Sequence, residues 1–141
     1  MDNLDSAIIH YLTKNARASY KEIGEEIGLT APAVANRVQK LENDGVIKGY
    51  SIRVDHAKIG LDIKALIMVR IGDSKYTYND FIKVVSEMEE VLLIYRLTGE
   101  YCIAMRAQFR DNAHMVSFID TIYKYGNTET SIILDEIIKT N

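Results

Sequence analysis

The sequence predicts an α+β protein of two domains: an N-terminal winged helix-turn-helix and a C-terminal βαββαβ, ferredoxin-like unit. Three observations predict it. Residues 1–45 carry apolar side chains at helical spacing only, the pattern changes to alternation from Val46, and beyond residue 62 the order is strand, helix, strand, strand, helix, strand. Each half has its own apolar set. The chain therefore divides into domains at 1–55 and 63–141, with "HAKIGLD" (56–62) as the linker.

The elements follow from local chemistry. Leu4, Ile8, Tyr11 and Leu12 form the stripe of a first helix that Asp2 or Asn3 can cap. "SYKE" (19–22) is a capping box, in which a hydroxyl and a carboxylate satisfy each other's free backbone donors. The short helix it opens buries Ile23 and Ile27 and stops at Gly28. Thr30 caps a third helix with Pro32 in its first turn, the buried stripe Val34, Val38 and Leu41, and a stop at Gly45. A short turn containing Gly28 joins the second and third helices, which is helix-turn-helix spacing over about 20–43. "VIKGYSIRVD" alternates and predicts a strand at about 46–54, serving as wing or hinge.

"IKALIMVRI" (63–71) is a β-rich run, and "TYND" opens a helix at about 78–89 with Phe81, Val84, Val85 and Met88 on one face. "LLIYRLT" and "YCIAMRAQF" are two strands joined across Gly99-Glu100. Asp111 caps a helix running to about Lys124, with Gly126 as its stop, and "TSIILDEII" (130–138) is the last strand.

Bulk properties exclude several classes. The longest apolar run, Ala65–Val69, is far too short to span a bilayer, and the acidic start "MDNLDSAII" is unlike a signal peptide, so a cytoplasmic protein is expected. A single cysteine, Cys102, allows no internal disulfide framework. With 17 basic and 20 acidic residues the chain lacks the charge of a non-specific nucleic-acid coat. His10, His56 and His114 lie far apart without metal-ligand spacing, and the sequence has no phosphate-cradling glycine loop and no nucleophile elbow. Neither a catalytic set nor a metal or cofactor site is expected.

On the third helix, Pro32, Ala33, Asn36, Gln39, Lys40 and Asn43 fall opposite the buried stripe, with Arg37 on the flank. Small residues at its start let a backbone approach a groove floor. Asn36 can bond a base edge bidentately, and Arg37 and Lys40 can reach phosphates or guanine. The bare pattern fits a solvated face equally well, and positions 1–50 hold six basic against seven acidic residues.

At this point the sequence resembles a known family. "LDSAIIHYLTKNARASYKEIGEEIGLTAPAVANRVQKLENDGVIKGY" is similar to the N-terminal domain of the Lrp/AsnC feast–famine transcriptional regulators, through Leu4-Asp5, Asn15-Ala16-Arg17, Gly28-Leu29-Thr30, Arg37-Val38, Leu41-Glu42 and Gly45 to Tyr50. The C-terminal order, with Leu97-Thr98-Gly99 in its central hairpin, resembles that family's regulator-of-amino-acid-metabolism (RAM) domain. The resemblance implies a nucleoid-associated regulator that binds double-stranded DNA through Thr30, Ala31, Pro32, Ala33, Asn36, Arg37 and Lys40. It also implies self-association as dimers that build octamers or open assemblies, and in many members an amino-acid effector held between C-terminal domains. The matching segment here is Thr98, Gly99, Glu100, Tyr101 and Cys102. Amino-acid-responsive members carry Thr-Gly-x-x-Asp, whereas this chain has Cys102 at the acidic position, with Glu100 as a substitute or a plain turn residue. Cys102 itself reads as apolar filler rather than a redox centre. Effector-free wrapping of DNA, and a haem-pathway decarboxylase of the same two-domain layout, are the alternatives.

The C-terminal half also predicts assembly. Ile63, Ala65, Ile67, Val69 and Ile71 share one face of the first strand, while Leu66 and Met68 lie on the other. Ile94, Cys102, Ala104, Ile133 and Ile137 are expected on second faces of their strands. Two helices cover only one face of such a sheet, so the other calls for a like subunit.

Overall fold

The structure, a computed structural model, describes residues 1–72 and 75–137. It contains two compact units, Met1–Arg53 and Val54–Ile137.

The first unit is three helices: α1 (Asn3–Lys14), α2 (Tyr20–Ile27) and α3 (Ala31–Asn43). Asp2 is the cap of α1, and Asp2 and Asp5 form a reciprocal box in which each carboxylate accepts the other's backbone N–H at 2.9 Å. Ser19 and Glu22 repeat the device on α2, with the Ser19 N–H reaching Glu22 at 2.7 Å. The Thr30 hydroxyl accepts from the Ala33 N–H at 3.4 Å. At the far end of α3, Val46 N–H bonds the Leu41 carbonyl and Gly45 N–H bonds that of Glu42, a Schellman closure that needs Gly45 at φ +70°. Ile8, Leu12, Ile23, Val34, Val38 and Leu41 are the buried core, with Ile27, Leu29 and Ile47 packed around it.

Gly24 sets how these helices meet. It is buried inside α2, where the backbone of the turn comes so close that an added Cβ would collide with the Leu29 carbonyl oxygen. Gly28, at φ +75°, then reverses the chain.

The strand predicted at 46–54 does not form. The segment has no ladder partner among the described residues, and Tyr50, Ile52 and Val54 remain exposed. The linker region carries a 3₁₀ turn, His56–Ile59, closed by Gly60.

The second unit is β1 (Ile63–Ile71), α4 (Tyr78–Val85), β2 (Val91–Arg96), β3 (Ile103–Phe109), α5 (Asn112–Ile122) and β4 (Gly126–Ile132). The four strands form one antiparallel sheet in the order β2-β3-β1-β4, the split βαβ arrangement. Ala65, Ile67 and Val69 of β1 and Ile103, Met105, Ala107 and Phe109 of β3 meet Phe81, Val85, Phe118 and Ile122 in a single core. His114 Nε2 lies 2.8 Å from Glu90 Oε1, and that hydrogen bond is the main reason the Glu90 carboxyl sits below its ordinary range.

Several predicted details are corrected. Helix α4 stops at Val85, not near residue 89, and α5 passes into a 3₁₀ turn at Tyr123. Strand β4 begins at Gly126, four residues ahead of the predicted 130–138 stretch, whose last residue lies outside the described ones. Its polar run "NTET" hides the strand because β4 is a sheet edge. Gly126 is more than a helix stop, since a Cβ there would strike the Arg70 carbonyl of β1. A bulge at Leu92 resets the alternation of β2, so Ile94 faces Met105 and the core instead of the second face. Cys102 also packs on the core side. Ile133 donates its N–H to the Lys64 carbonyl just past β4, and Ile137 is exposed beyond it.

Replacing Gly24 with Ala tests the close approach. Alanine favours a helix interior over glycine by about 1 kcal/mol, but the clash is with backbone, which cannot rotate away. Gly24→Ala is expected to destabilise the helical unit by about 1–3 kcal/mol, read from the shift of its denaturant midpoint. An unchanged midpoint would show that the turn yields freely.

Candidate nucleic-acid interface

The sequence of α3 divides the helix by burial. Val34, Val38 and Leu41 are buried, while Pro32, Asn36, Gln39, Lys40 and Asn43 are exposed and Ala31 and Ala33 half-buried. The predicted contact residues Thr30, Ala31, Pro32, Ala33, Asn36 and Lys40 are thus brought together along the first three turns. Their chemistry suits a groove: two small side chains, a proline, one amide and one cation. The Gln39 amide donates to Asn43 Oδ1 at 3.2 Å, so the row continues as a hydrogen-bonded pair to the helix end. Thr30 is exposed, with its hydroxyl already used in the cap.

Arg37 is placed differently. One guanidinium nitrogen, Nη1, lies 2.8 Å from Asp2 Oδ2 and 2.7 Å from Asp5 Oδ1, which binds α3 to the start of α1. Both carboxyls sit below the usual range, each first through the other's backbone N–H and then through the guanidinium. Arg37 is raised in turn by its hydrogen bonds to Asp2 and Asp5. The sequence offers Asp2 only as a helix cap and gives Asp5 no structural role, and nothing in the linear pattern announces a partner 32 residues away.

A second contact missed at that level is Tyr50. Its hydroxyl donates to Glu42 Oε1 at 2.8 Å, tying the segment after α3 to that helix's last turn. Partial burial, and then this bond, push the phenol up to about 12.

In the second unit the hairpin residues Thr98–Cys102 form a loop closed by the Leu97 N–H on the Cys102 carbonyl at 2.8 Å. Gly99 takes φ +103°. Glu100, the substitute for the missing acidic position, is engaged: Arg70 Nη1 lies 2.9 Å from its carboxylate. Tyr101 is raised above its ordinary value, first by a hydrogen bond to the Glu129 carboxylate. The Cys102 thiol points at the Val69 carbonyl, 3.7 Å away. Arg70 of β1 and Glu129 of β4 thus interact with the hairpin residues.

A capped tri-helical unit with an outward third helix, joined in sequence to a split βαβ sheet, defines a helix-turn-helix DNA-binding protein with a regulatory-type second domain. Residues 1–42 match the AsnC-type helix-turn-helix domain, and residues 64–141 match the Lrp/AsnC ligand binding domain. The chain belongs to the Lrp/AsnC family of HTH-type transcriptional regulators. It is 32% identical to the HTH-type transcriptional regulator LrpB of Bacillus subtilis over 139 residues, covering 99% of this chain and 92% of that one. Among solved structures, B. subtilis LrpC superposes with a TM-score of 0.89 at 30% identity, over 98% of this chain and 97% of LrpC. A transcriptional regulator of Neisseria meningitidis in complex with L-Met gives 0.90 at 29%, over 99% and 93%. These relatives do not favour the decarboxylase reading. No helix of the described residues is long and apolar enough to cross a membrane.

Proposed function

We propose that the protein regulates transcription in the cytoplasm by seating α3 in the major groove of an operator, and that its work is binding rather than catalysis. The observation that carries this reading is the row of exposed Pro32, Asn36 and Lys40, with half-buried Ala33 among them, on a helix whose opposite stripe of Val34, Val38 and Leu41 is buried. Asn36 reads a base edge, Lys40 meets a phosphate, and Thr30 to Ala33 form the close-approach end. Arg37 joins this set only by leaving its two carboxylates. Lys40→Ala is expected to weaken binding on all sequences and lower the salt slope by about one. Asn36→Ala is expected to relax discrimination at particular bases by about 1–3 kcal/mol. Footprints and salt titrations on genomic DNA read both; parent-like behaviour of folded variants would refute the assignment.

The reading extends to assembly as dimers, and from dimers to octamers or open assemblies. Leu66, Leu93 and Tyr95 are exposed on the sheet face away from the helices, where Met68 is half-buried. On the same face Gln108 is only 3% exposed, yet its Oε1 has no hydrogen-bond partner among the described residues, and neither does the buried Arg106 Nε. A second copy on this face would cover the apolar area and could supply those partners, and its two-fold symmetry suits paired half-sites. Met68→Asp sets a carboxylate beside Glu129 and under that partner, at a cost of about 3–5 kcal/mol. Light scattering should show the variant dissociated; a parent protein that is monomeric at micromolar concentration would sink the assembly.

The matched ligand-binding domain and the neighbour holding L-Met support a small amino-acid effector at Thr98–Cys102. Backbone amides near Gly99 would take its carboxylate, and Glu100 or Glu129 its ammonium. Calorimetry against the twenty amino acids should find one that binds and is weakened by Glu100→Gln or Glu129→Gln. No heat from any of them would point to an effector-free regulator, including one that wraps DNA.

A further inference from the structure

We propose that Arg37 is the positioning residue of the reading helix: its clasp on Asp2 and Asp5 sets how α3 meets a duplex, and Arg37 itself does not neutralise a phosphate. The inference rests on the reading of α3 as the DNA helix. Three features of the site carry it. A single nitrogen is shared by two carboxylates at 2.8 and 2.7 Å, so the local charge of the clasp is that of an anion, which repels phosphate. The two aspartates are themselves held in place, because each caps the other's backbone N–H at the start of α1. They therefore present a fixed target to the guanidinium, not a pair of mobile surface chains. The Asp5 side chain is 14% exposed and that of Arg37 31%, so the Arg37–Asp5 half of the clasp is formed at the seam between the helices, while Asp2, 55% exposed, closes it from the solvent side.

Position on the helix completes the case. Arg37 precedes buried Val38 and follows exposed Asn36, on the flank where α3 turns from core to solvent. A rotation of α3 about its own axis changes the distance from Arg37 to α1 directly, and it swings Asn36 and Lys40 by the same angle. The buried stripe resists such a rotation by apolar packing against α1 and α2. Hydrogen bonds to two fixed carboxylates supply the direction.

The two possible roles of Arg37 predict opposite signs. Asp5→Asn removes a negative charge from a DNA-binding unit, so simple attraction to phosphate would tighten binding, and so would release of Arg37 as a phosphate ligand. Positioning predicts weaker specific binding instead. The test uses the full chain, a duplex selected from a random pool by the parent protein, and a scrambled duplex of equal length. Asp5→Asn and Arg37→Gln should each lower the ratio of selected to scrambled affinity by about threefold or more, an effect the size of one modest interaction. The double variant should lose no more than either single one. The salt slope of Arg37→Gln should stay at the parent value, while that of Lys40→Gln falls by about one. Loss of folded protein alone would lower both affinities together and leave their ratio unchanged, which would overturn the proposal. So would tighter selected binding by Asp5→Asn, or a slope reduced by about one in Arg37→Gln. Where Asp5→Asn melts the unit at the assay temperature, Asp2→Asn, which removes the more exposed carboxylate, carries the same test of sign. If Lys40→Gln and Asn36→Ala bind like the parent, the reading of α3 as the DNA helix fails, not the clasp.

Discussion

The close approach of Gly24 to the Leu29 carbonyl is the constraint on which the DNA-facing geometry depends. A helix-turn-helix works only when the second helix leaves the turn at a fixed angle, and that angle is set by how near the first helix lets the turn backbone come. Here no side chain separates them. Gly28, with its positive φ, then makes the reversal, and Thr30 stops the chain from continuing in the α2 direction by capping a new helix. The outward placement of Asn36 and Lys40 is a consequence of these three residues together with the buried stripe of Val34, Val38 and Leu41. The clasp of Arg37 on Asp2 and Asp5 adds a directional restraint to a contact that is otherwise apolar.

The second unit is governed by an asymmetry of its sheet. Both helices lie on one face, so every strand must sort its residues by parity, and a one-residue error moves a side chain from core to open face. The bulge at Leu92 makes that move deliberately, sending Ile94 inward and Leu93 and Tyr95 outward. The open face that results is not simply apolar. Lys64 and Arg106, on adjacent strands, hold Glu136 at 3.2 and 3.4 Å, while Gln108 is buried among them with an unsatisfied oxygen. A surface of this kind would select a partner more narrowly than a greasy patch does, because the mate would have to meet polar groups as well as cover apolar ones.

Most of the fold was legible because its punctuation is local. Ser19/Glu22, Thr30, Thr77/Asp80, Asp111, Gly28 and Gly45 act within four residues of where they stand, and each does in the structure what its neighbours in sequence suggest. What failed was non-local. The strand at 46–54 has the right alternation, but a strand exists only with a ladder partner, and no described residue provides one. The start of β4 was hidden by polar residues that an edge strand tolerates. At the candidate site the exposed row of α3 follows from a 3.6-residue period, so it could be read directly. The partners of Arg37, Glu100 and Tyr101 come from other elements, and no spacing rule encodes them.

Those partners also bear on how an effector would be recognised. An ammonium arriving at Glu100 does not meet a free carboxylate; it displaces the Arg70 guanidinium. An ammonium arriving at Glu129 would compete with the Tyr101 phenol for that carboxylate. Either exchange trades one polar contact for another near the surface, where such a pair contributes about 0–1 kcal/mol. Even a millimolar affinity requires about 4 kcal/mol. The difference has to come from groups other than the ammonium: the ligand carboxylate on backbone amides near Gly99, and above all its side chain on apolar surface. On the proposal that the loop holds an amino acid, Cys102 standing where an acidic residue would hold the ammonium means that ligands would be distinguished by side chain more than by the charge that all amino acids share.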